Sequence, residues 1–239
     1  MLPAGCVGVS LDVMATLMRP KGGVGAVYTA EAVSLLGADH RLAKLCPEDV
    51  DSEFKVAFKL CRKEWGNPST IEATRRFWDY AVRKTFQPDL PVPSQWDPSE
   101  HTDVNLSALS QHLYDRFSCA DAFEAFGRVE ETLAVWKNQN LSIVAVSNTD
   151  YRIKSALEQF GWYPRYLSHV VTATDGLPHK PAPAGILWAA EQALKDQPHF
   201  DLKETMRRWV HIGDEEVDRL AAEAAGCSFV HSSVFFTHP

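Results

Sequence analysis

Five short apolar runs rich in Val and Ile punctuate the chain, at residues 7–13, 141–147, 166–172, 209–213 and 227–231. Continuous apolar runs of this length are what strands buried on both faces of a parallel sheet require. Helical patterns follow them. Thr149-Asp150 can cap a helix through Gln159 that stops at Gly161, Pro181 stands at the head of a helix to about Lys195, and Glu215 to Ala225 is helical before Gly226. Strand and helix repeating in this way predict an α/β fold built on a doubly wound parallel sheet.

Residues 20–125 interrupt that rhythm. They carry no strand texture, and their helical stretches break at Gly37, Cys46-Pro47, Gly66-Asn67-Pro68 and Pro88 to Pro98. Ser69-Thr70-Ile71-Glu72 has the capping-box pattern and opens a helix to Phe86, while Pro47-Glu48-Asp49 places a proline and two acids at the head of another. The Pro-, Ser- and Asp-rich stretch 87–100 reads as an exposed loop. The expected organisation is a core of residues 1–19 plus 126–239 and an all-helical insert of residues 20–125.

Composition narrows the class. With 239 residues, 45% hydrophobic and 23% charged, the chain can bury a sizeable core, which excludes disorder and fibre. No apolar run reaches the roughly 18–20 residues of a membrane span, and Met1 to Gly5 leads almost directly into Val7 to Leu11. Neither a signal peptide nor an Arg- and Ser-rich transit peptide is visible, so an intracellular, cytoplasmic protein is expected, with a mitochondrial address open if the N-terminus is processed. A net charge of −7 argues against a surface built wholly for nucleic acid. The five cysteines show no C-x-x-C spacing and read as reduced thiols, and the nine histidines form no metal-binding pair.

One local excess stands against the overall charge. Residues 55–84 hold Lys55, Lys59, Arg62, Lys63, Arg75, Arg76, Arg83 and Lys84 against Glu64, Glu72 and Asp79. A solvated helical face explains it first, and a docking surface for an anionic protein or RNA partner second. Trp65, Phe77, Trp78, Tyr80 and Phe86, interleaved with these charges, fit the core of the insert. Val234-Phe235-Phe236 is apolar for a tail and is expected to pack. A monomer or homodimer is consistent with all of this.

The chemistry gathers at the ends of the runs. Asp12 ends the first, Ser147-Asn148 the second, Lys180-Pro181 follows the third, and the fourth leads into Gly213-Asp214-Glu215-Glu216-Val217-Asp218. Singly these are a turn former, a strand-end hydroxyl, a surface lysine and a helix cap. A parallel sheet, however, brings its carboxyl ends together, so three carboxylates, a hydroxyl, an amide and an ammonium would share one crevice. Carboxylates at this density suit a hard cation such as Mg²⁺, and Ser and Lys suit an anion beside it.

In their order these segments resemble the motifs of the haloacid dehalogenase superfamily. Asp12 to Leu17 is similar to its D-x-D-x-T-[LV] loop, Ser147-Asn148 to its second motif, Lys180-Pro181 to its third, and Gly213-Asp214 through Asp218 to its acidic fourth. The Ala-rich stretch to Gly226 and Val129-Glu130-Glu131-Thr132-Leu133 fit the same pattern, and the insert sits where the family carries a helical C1 cap. Val24 to Tyr28 with Phe77-Trp78-Asp79 resemble, more narrowly, the subfamily of HAD-like hydrolase domain-containing protein 3. The resemblance implies a phosphohydrolase of small phosphorylated metabolites in which Asp12 attacks phosphorus and Lys180 balances the charge. It also implies that Mg²⁺ is held by Asp12, the backbone carbonyl of Met14 and Asp214, with Asp218 either a further ligand or a support behind them, while Ser147 binds phosphoryl oxygens and Thr16 and Asn148 brace the site.

Met14 departs from the pattern. The family's phosphatases carry there a second Asp, the general acid and base, whose role a thioether cannot fill. Its dehalogenases carry Tyr and its phosphonatases and ion pumps a small residue or Thr, so Met14 selects none of them. Two expectations follow: a slow hydrolase, or a scaffold or assembly factor that keeps the fold without efficient turnover.

Overall fold

The computed structural model describes residues 2–100, 102–198 and 200–237, which leaves three of the histidines, His101, His199 and His238, outside the described residues. In chain order the strands and helices begin with β1 (Gly8–Leu11), β2 (Met18–Pro20), α1 (Val24–Leu36), α2 (Pro47–Trp65), α3 (Ile71–Phe86), α4 (Val104–Arg116), β3 (Phe123–Ala125) and α5 (Val129–Asn138). They continue with β4 (Ser142–Val146), α6 (Arg152–Gln159), β5 (His169–Val171), α7 (Ala184–Leu194), α8 (Leu202–Arg207), β6 (Trp209–Gly213), α9 (Glu216–Ala225) and β7 (Ser228–His231). Two compact units result, one of residues up to Arg19 and from Glu124 onward, the other of Pro20–Phe123.

The first unit is the α/β part. Its five strands run parallel in the order β5-β4-β1-β6-β7. Leu11 pairs with Ala145 on one side and Ile212 on the other, so the carboxyl ends of the three central strands lie level. From β1 the chain winds outward through β4 and β5, then returns across the sheet to β6 on β1's other side. The winding sense therefore changes between β1 and β6, the crevice where open α/β sheets bind ligands. Val9, Leu11, Val144, Ala145, Val146, Val210 and Ile212 are all buried, which is why these strands read as unbroken apolar runs.

Two elements differ from the pattern reading. The run 166–172 yields a strand only at His169–Val171, because the backbone N–H groups of Tyr166 and Leu167 donate to Trp162 O and close a turn instead. Helix α7 starts at Ala184 rather than Pro181, with Pro183 as its N-cap, in keeping with the bar a proline sets against helical conformation in the residue before it. The N-cap of α6 is Tyr151, without a side-chain cap bond, rather than Thr149 or Asp150; the Asp150 carboxylate instead accepts from Arg152 N (3.1 Å), Nε (2.8 Å) and Nη2 (2.8 Å). At the end of the described chain, Phe236 is buried and Phe235 meets Trp136 edge to face at 5.1 Å.

Strands β2 and β3 form a separate two-stranded ribbon on which the two crossings between units fall. Phe126 N donates to Leu17 O and Arg19 pairs with Glu124 at 2.7 Å on the first unit's side, while Lys21 N donates to Ala122 O on the second's.

The second unit is all-helical between its ribbon residues. Tyr28 of α1 meets Phe54, Phe86 and Phe117 at ring-centroid distances of 5.6–6.0 Å, over a cluster that includes Leu42, Val50, Val82 and Leu106. Gly25 allows α1 to approach α2: a Cβ there would stand 1.9 Å from Pro47 O. The cap of α3 lies one residue later than its sequence pattern suggests. Thr70, not Ser69, is the N-cap, accepting from Ala73 N at 3.1 Å, so Glu72 stands at the second helical position and no box forms.

The stretch 87–100 is strapped down rather than simply exposed. Trp96 is buried and donates from Nε1 to Asp79 Oδ2 (2.8 Å), while Tyr80 Oη donates to Pro91 O and Trp65 Nε1 to Pro93 O, both at 3.3 Å. The basic stretch is likewise partly internal. Arg83 is buried against Asp79 (2.9 Å) and Ser107 (2.8 Å), and Lys84 donates to the carbonyls of Pro88 and Leu90. Lys55 pairs with Asp51 and Arg76 with Glu72. No described helix is long and apolar enough to cross a membrane.

Candidate active site

Asp12 directly follows β1, its N–H donating to Ile212 O at 2.8 Å, so its carboxylate stands at the change of winding sense. Beyond it the chain folds back tightly. Leu17 N and Met18 N both donate to Val13 O, Ala15 adopts φ +59°, and Met14 forms an isolated bridge with Met18. The turn delivers Thr16, fully buried, whose hydroxyl donates to Asp214 Oδ1 at 3.0 Å.

Asp214 follows β6, and Asp218 lies on the first turn of α9. There it completes a capping box with Glu215, its Oδ2 accepting from Glu215 N at 3.1 Å. Gly213 makes room for it: a Cβ at that position would come within 2.3–2.5 Å of the Asp218 side chain. One carboxylate oxygen from each of Asp12, Asp214 and Asp218 falls within 4.8 Å of the others.

Lys180 closes the cluster. Its Nζ donates to Asp12 Oδ1 (2.5 Å) and Asp218 Oδ1 (2.6 Å), with all three residues buried. Its backbone is gripped by the Asn148 side chain. Ser147, buried after β4, has its hydroxyl engaged by Thr149 N at 3.2 Å rather than by any of the three carboxylates. The residues singled out from the sequence thus come together beyond the carboxyl ends of the strands, from the segments that follow them. Asp12, Thr16, Lys180, Asp214 and Asp218 are joined by direct contacts or by the carboxylate spacing, and Asn148 is joined through the lysine backbone.

One buried residue of this centre has no motif to announce it. His211, in the middle of β6, places Nε2 3.4 Å from Asp218 Oδ1 and Nδ1 2.8 Å from Ser10 Oγ. Only its position three residues before Asp214, in a strand otherwise apolar, could have marked it.

The electrostatics are unbalanced. Burial pushes the Asp12 carboxyl above the usual carboxylate range; the Lys180 ammonium opposes this, and the charges of Asp218 and Asp214 add to it. Burial also raises Asp214, partly offset by the hydrogen bond from Thr16. For Asp218 burial acts upward, but the hydrogen bond from His211 and the Lys180 charge outweigh it and hold the carboxyl below its ordinary value. Burial lowers His211 and keeps the imidazole neutral. For Lys180 burial favours the neutral amine, yet the two carboxylates prevail and keep it charged. Three carboxylates facing one ammonium leave an excess of negative charge in a buried crevice, with oxygen ligands throughout. That is the donor set of a hard divalent cation, so the residues fit Mg²⁺.

Residues 16–226 match the family model of haloacid dehalogenase-like hydrolases. The chain belongs to that family. The match begins after Asp12, so the place of this aspartate rests on its position at the end of β1. Among solved structures, the fold is shared with a haloacid dehalogenase family hydrolase from Deinococcus radiodurans R1 crystallised with phosphate and sodium (TM-score 0.57, 18% identity, 96% of this chain and 81% of that one). It is also similar to a superfamily hydrolase of subfamily IA from Geobacter sulfurreducens PCA (0.55, 19%, 96% and 88%). A third is a predicted phosphoglycolate phosphatase from Haemophilus somnus 129pt (0.55, 16%, 95% and 85%). No curated protein is a significant match to the chain, and the narrower subfamily likeness gains no support from these comparisons.

Proposed function

We propose that this hydrolase-family chain is a Mg²⁺-dependent phosphohydrolase that acts on a small phosphorylated metabolite through an aspartyl phosphate on Asp12. The observation that carries the reading is the Lys180 ammonium set between Asp12 and Asp218 at the change of winding sense, with Asp214 beside them. Asp12, the backbone carbonyl of Met14, Asp214 and Asp218 would hold the metal, whose charge would neutralise the phosphoryl oxygens and favour the ionised nucleophile. The Deinococcus fold relative was crystallised with phosphate and sodium, which is in keeping with a phosphate substrate. Residues 20–125 would form the cap that selects the substrate, in which case a metabolite rather than RNA is the partner.

An oxygen of Asp12 attacks phosphorus, and the bond to the leaving oxygen breaks, that oxygen taking the electron pair. Lys180 holds the attacking carboxylate in place and balances its charge. Ser147, released from Thr149 N, binds a phosphoryl oxygen, and Thr16 and Asn148 keep Asp214 and Lys180 in position. Water then attacks the aspartyl phosphate, returning the carboxylate and releasing inorganic phosphate. Met14 supplies no proton to the leaving oxygen and removes none from that water, which slows both steps by about 10²- to 10⁴-fold relative to an enzyme with Asp there.

The same Met14 favours a second reading, a scaffold that keeps the fold without turnover. Purified protein assayed with Mg²⁺ on an activated aryl phosphate and a metabolite panel separates the two. Turnover that disappears in Asp12→Asn establishes the hydrolase; none in the wild type on any substrate establishes the scaffold.

A further inference from the structure

Behind the carboxylates a line of buried polar groups crosses from β6 to β1 and back. Trp209 Nε1 donates to Ser10 Oγ at 3.1 Å, Ser10 Oγ lies 2.8 Å from His211 Nδ1, and His211 Nε2 lies 3.4 Å from Asp218 Oδ1. Trp209, Ser10 and His211 are wholly buried and Asp218 is 1% exposed. Water therefore cannot satisfy these groups, and each must find its partner within the line.

The bonds at both ends of the line have fixed directions. Asp218 already accepts from the Lys180 ammonium and can only accept again, so His211 Nε2 must carry the ring proton. On a neutral imidazole Nδ1 is then bare and can only accept, so the Ser10 hydroxyl donates to it. The Ser10 oxygen in turn takes the indole N–H of Trp209, which can only donate. With the imidazole neutral, the four side chains admit one arrangement of protons.

We propose that His211 is a positioning residue for Asp218, held as the Nε2–H tautomer by Ser10 and Trp209 so that the carboxylate stands in one orientation toward the metal. The inference rests on the magnesium reading of the same carboxylates. Asp218 is pinned on two sides, Oδ1 by Lys180 and His211 and Oδ2 by the Glu215 N–H, in the space that Gly213 leaves open. The histidine has its own support behind it in Ser10 and Trp209, as Lys180 has in Asn148, and a fixed outer partner is what gives a ligand its orientation and basicity. A histidine that only filled space could be replaced by an apolar side chain without any polar cost.

The test uses the full chain. Nitrogen-15 spectra of histidine-labelled wild-type protein should show His211 with a protonated Nε2 and a bare Nδ1. Calorimetric titration with Mg²⁺ in the presence of inorganic phosphate should show binding weakened about 10- to 100-fold in His211→Leu. His211→Gln, which keeps an N–H at the reach of Nε2, should recover most of that loss. Ser10→Ala should lose affinity although Ser10 touches none of the carboxylates. A protonated Nδ1 in the wild type, or a folded His211→Leu that binds Mg²⁺ within twofold of wild type, overturns the inference while leaving the metal reading intact. A wild type that binds no Mg²⁺ overturns that reading, and the positioning role falls with it.

Discussion

Asn148 and Lys180 hold each other by a reciprocal pair of hydrogen bonds: Asn148 Nδ2 donates to the Lys180 carbonyl at 3.0 Å, and the Lys180 N–H donates to Asn148 Oδ1 at 2.9 Å. The ammonium that joins Asp12 to Asp218 is therefore set from its own backbone by an amide on the neighbouring strand end. Asn148→Ala leaves a donor and an acceptor without partners and should cost about 1–3 kcal/mol. Asn148→Asp keeps only the acceptor and should fall between. Chemical denaturation together with aryl phosphate turnover checks both; a variant unchanged in either would show that the clamp does not matter.

Met14 separates a slow enzyme from an inactive one through leaving-group chemistry. Aryl phosphates, whose leaving oxygen departs without a proton, should be turned over, whereas alkyl phosphates should be nearly inert, and phosphoenzyme should accumulate. Met14→Asp should restore part of the roughly 10²- to 10⁴-fold acid–base contribution, with the larger gain on alkyl substrates. If a folded Met14→Asp protein binds Mg²⁺ and hydrolyses neither class, the defect lies elsewhere and the scaffold reading takes over.

Trp96 ties the strap 87–100 to α3. Trp96→Ala should destabilise the helical unit by about 3–5 kcal/mol, the usual cost of emptying a buried aromatic site. Trp96→Phe, losing mainly the bond to Asp79, should cost about 1 kcal/mol. Thermal or denaturant melts of the two variants measure the difference.

Glu31 gives the helical unit an acid sensitivity. Burial alone would raise its carboxyl, but hydrogen bonds from His112 Nε2 (2.7 Å) and Arg116 Nε (2.5 Å) outweigh it, so the folded value lies below the ordinary one. A depressed carboxylate favours the folded state once ionised. Its contribution is complete above the ordinary glutamate value and fades as pH falls through it toward the lower folded value. Glu31→Gln should therefore flatten the loss of stability between roughly pH 5 and 3. Equal pH slopes for wild type and variant would refute the pairing.

What the sequence displays of this protein follows from the range of the interactions involved. Strands β1, β4 and β6 are legible because both of their faces are buried, and the motif residues are legible because they fall in the segments that follow the strands. Ribbon β2–β3 is not, since each strand has three residues and its partner lies about a hundred positions away in the chain. The strap 87–100 is masked by its prolines and serines, which hide the one tryptophan that anchors it. His211 looks like a lone histidine in a strand until Ser10, 201 residues away, is placed beside it.

The ribbon at the unit boundary has a further consequence. Because Phe126 is bonded to Leu17 and Arg19 to Glu124, the two chain segments that leave and re-enter the α/β unit are already neighbours. Loop-closure entropy grows only with the logarithm of loop length, each doubling adding about 0.6 kcal/mol. With its ends fixed side by side, the intervening segment can lengthen, shorten or be exchanged at almost no thermodynamic expense to the sheet. The α/β unit and the helical unit are thus free to diverge in sequence at different speeds.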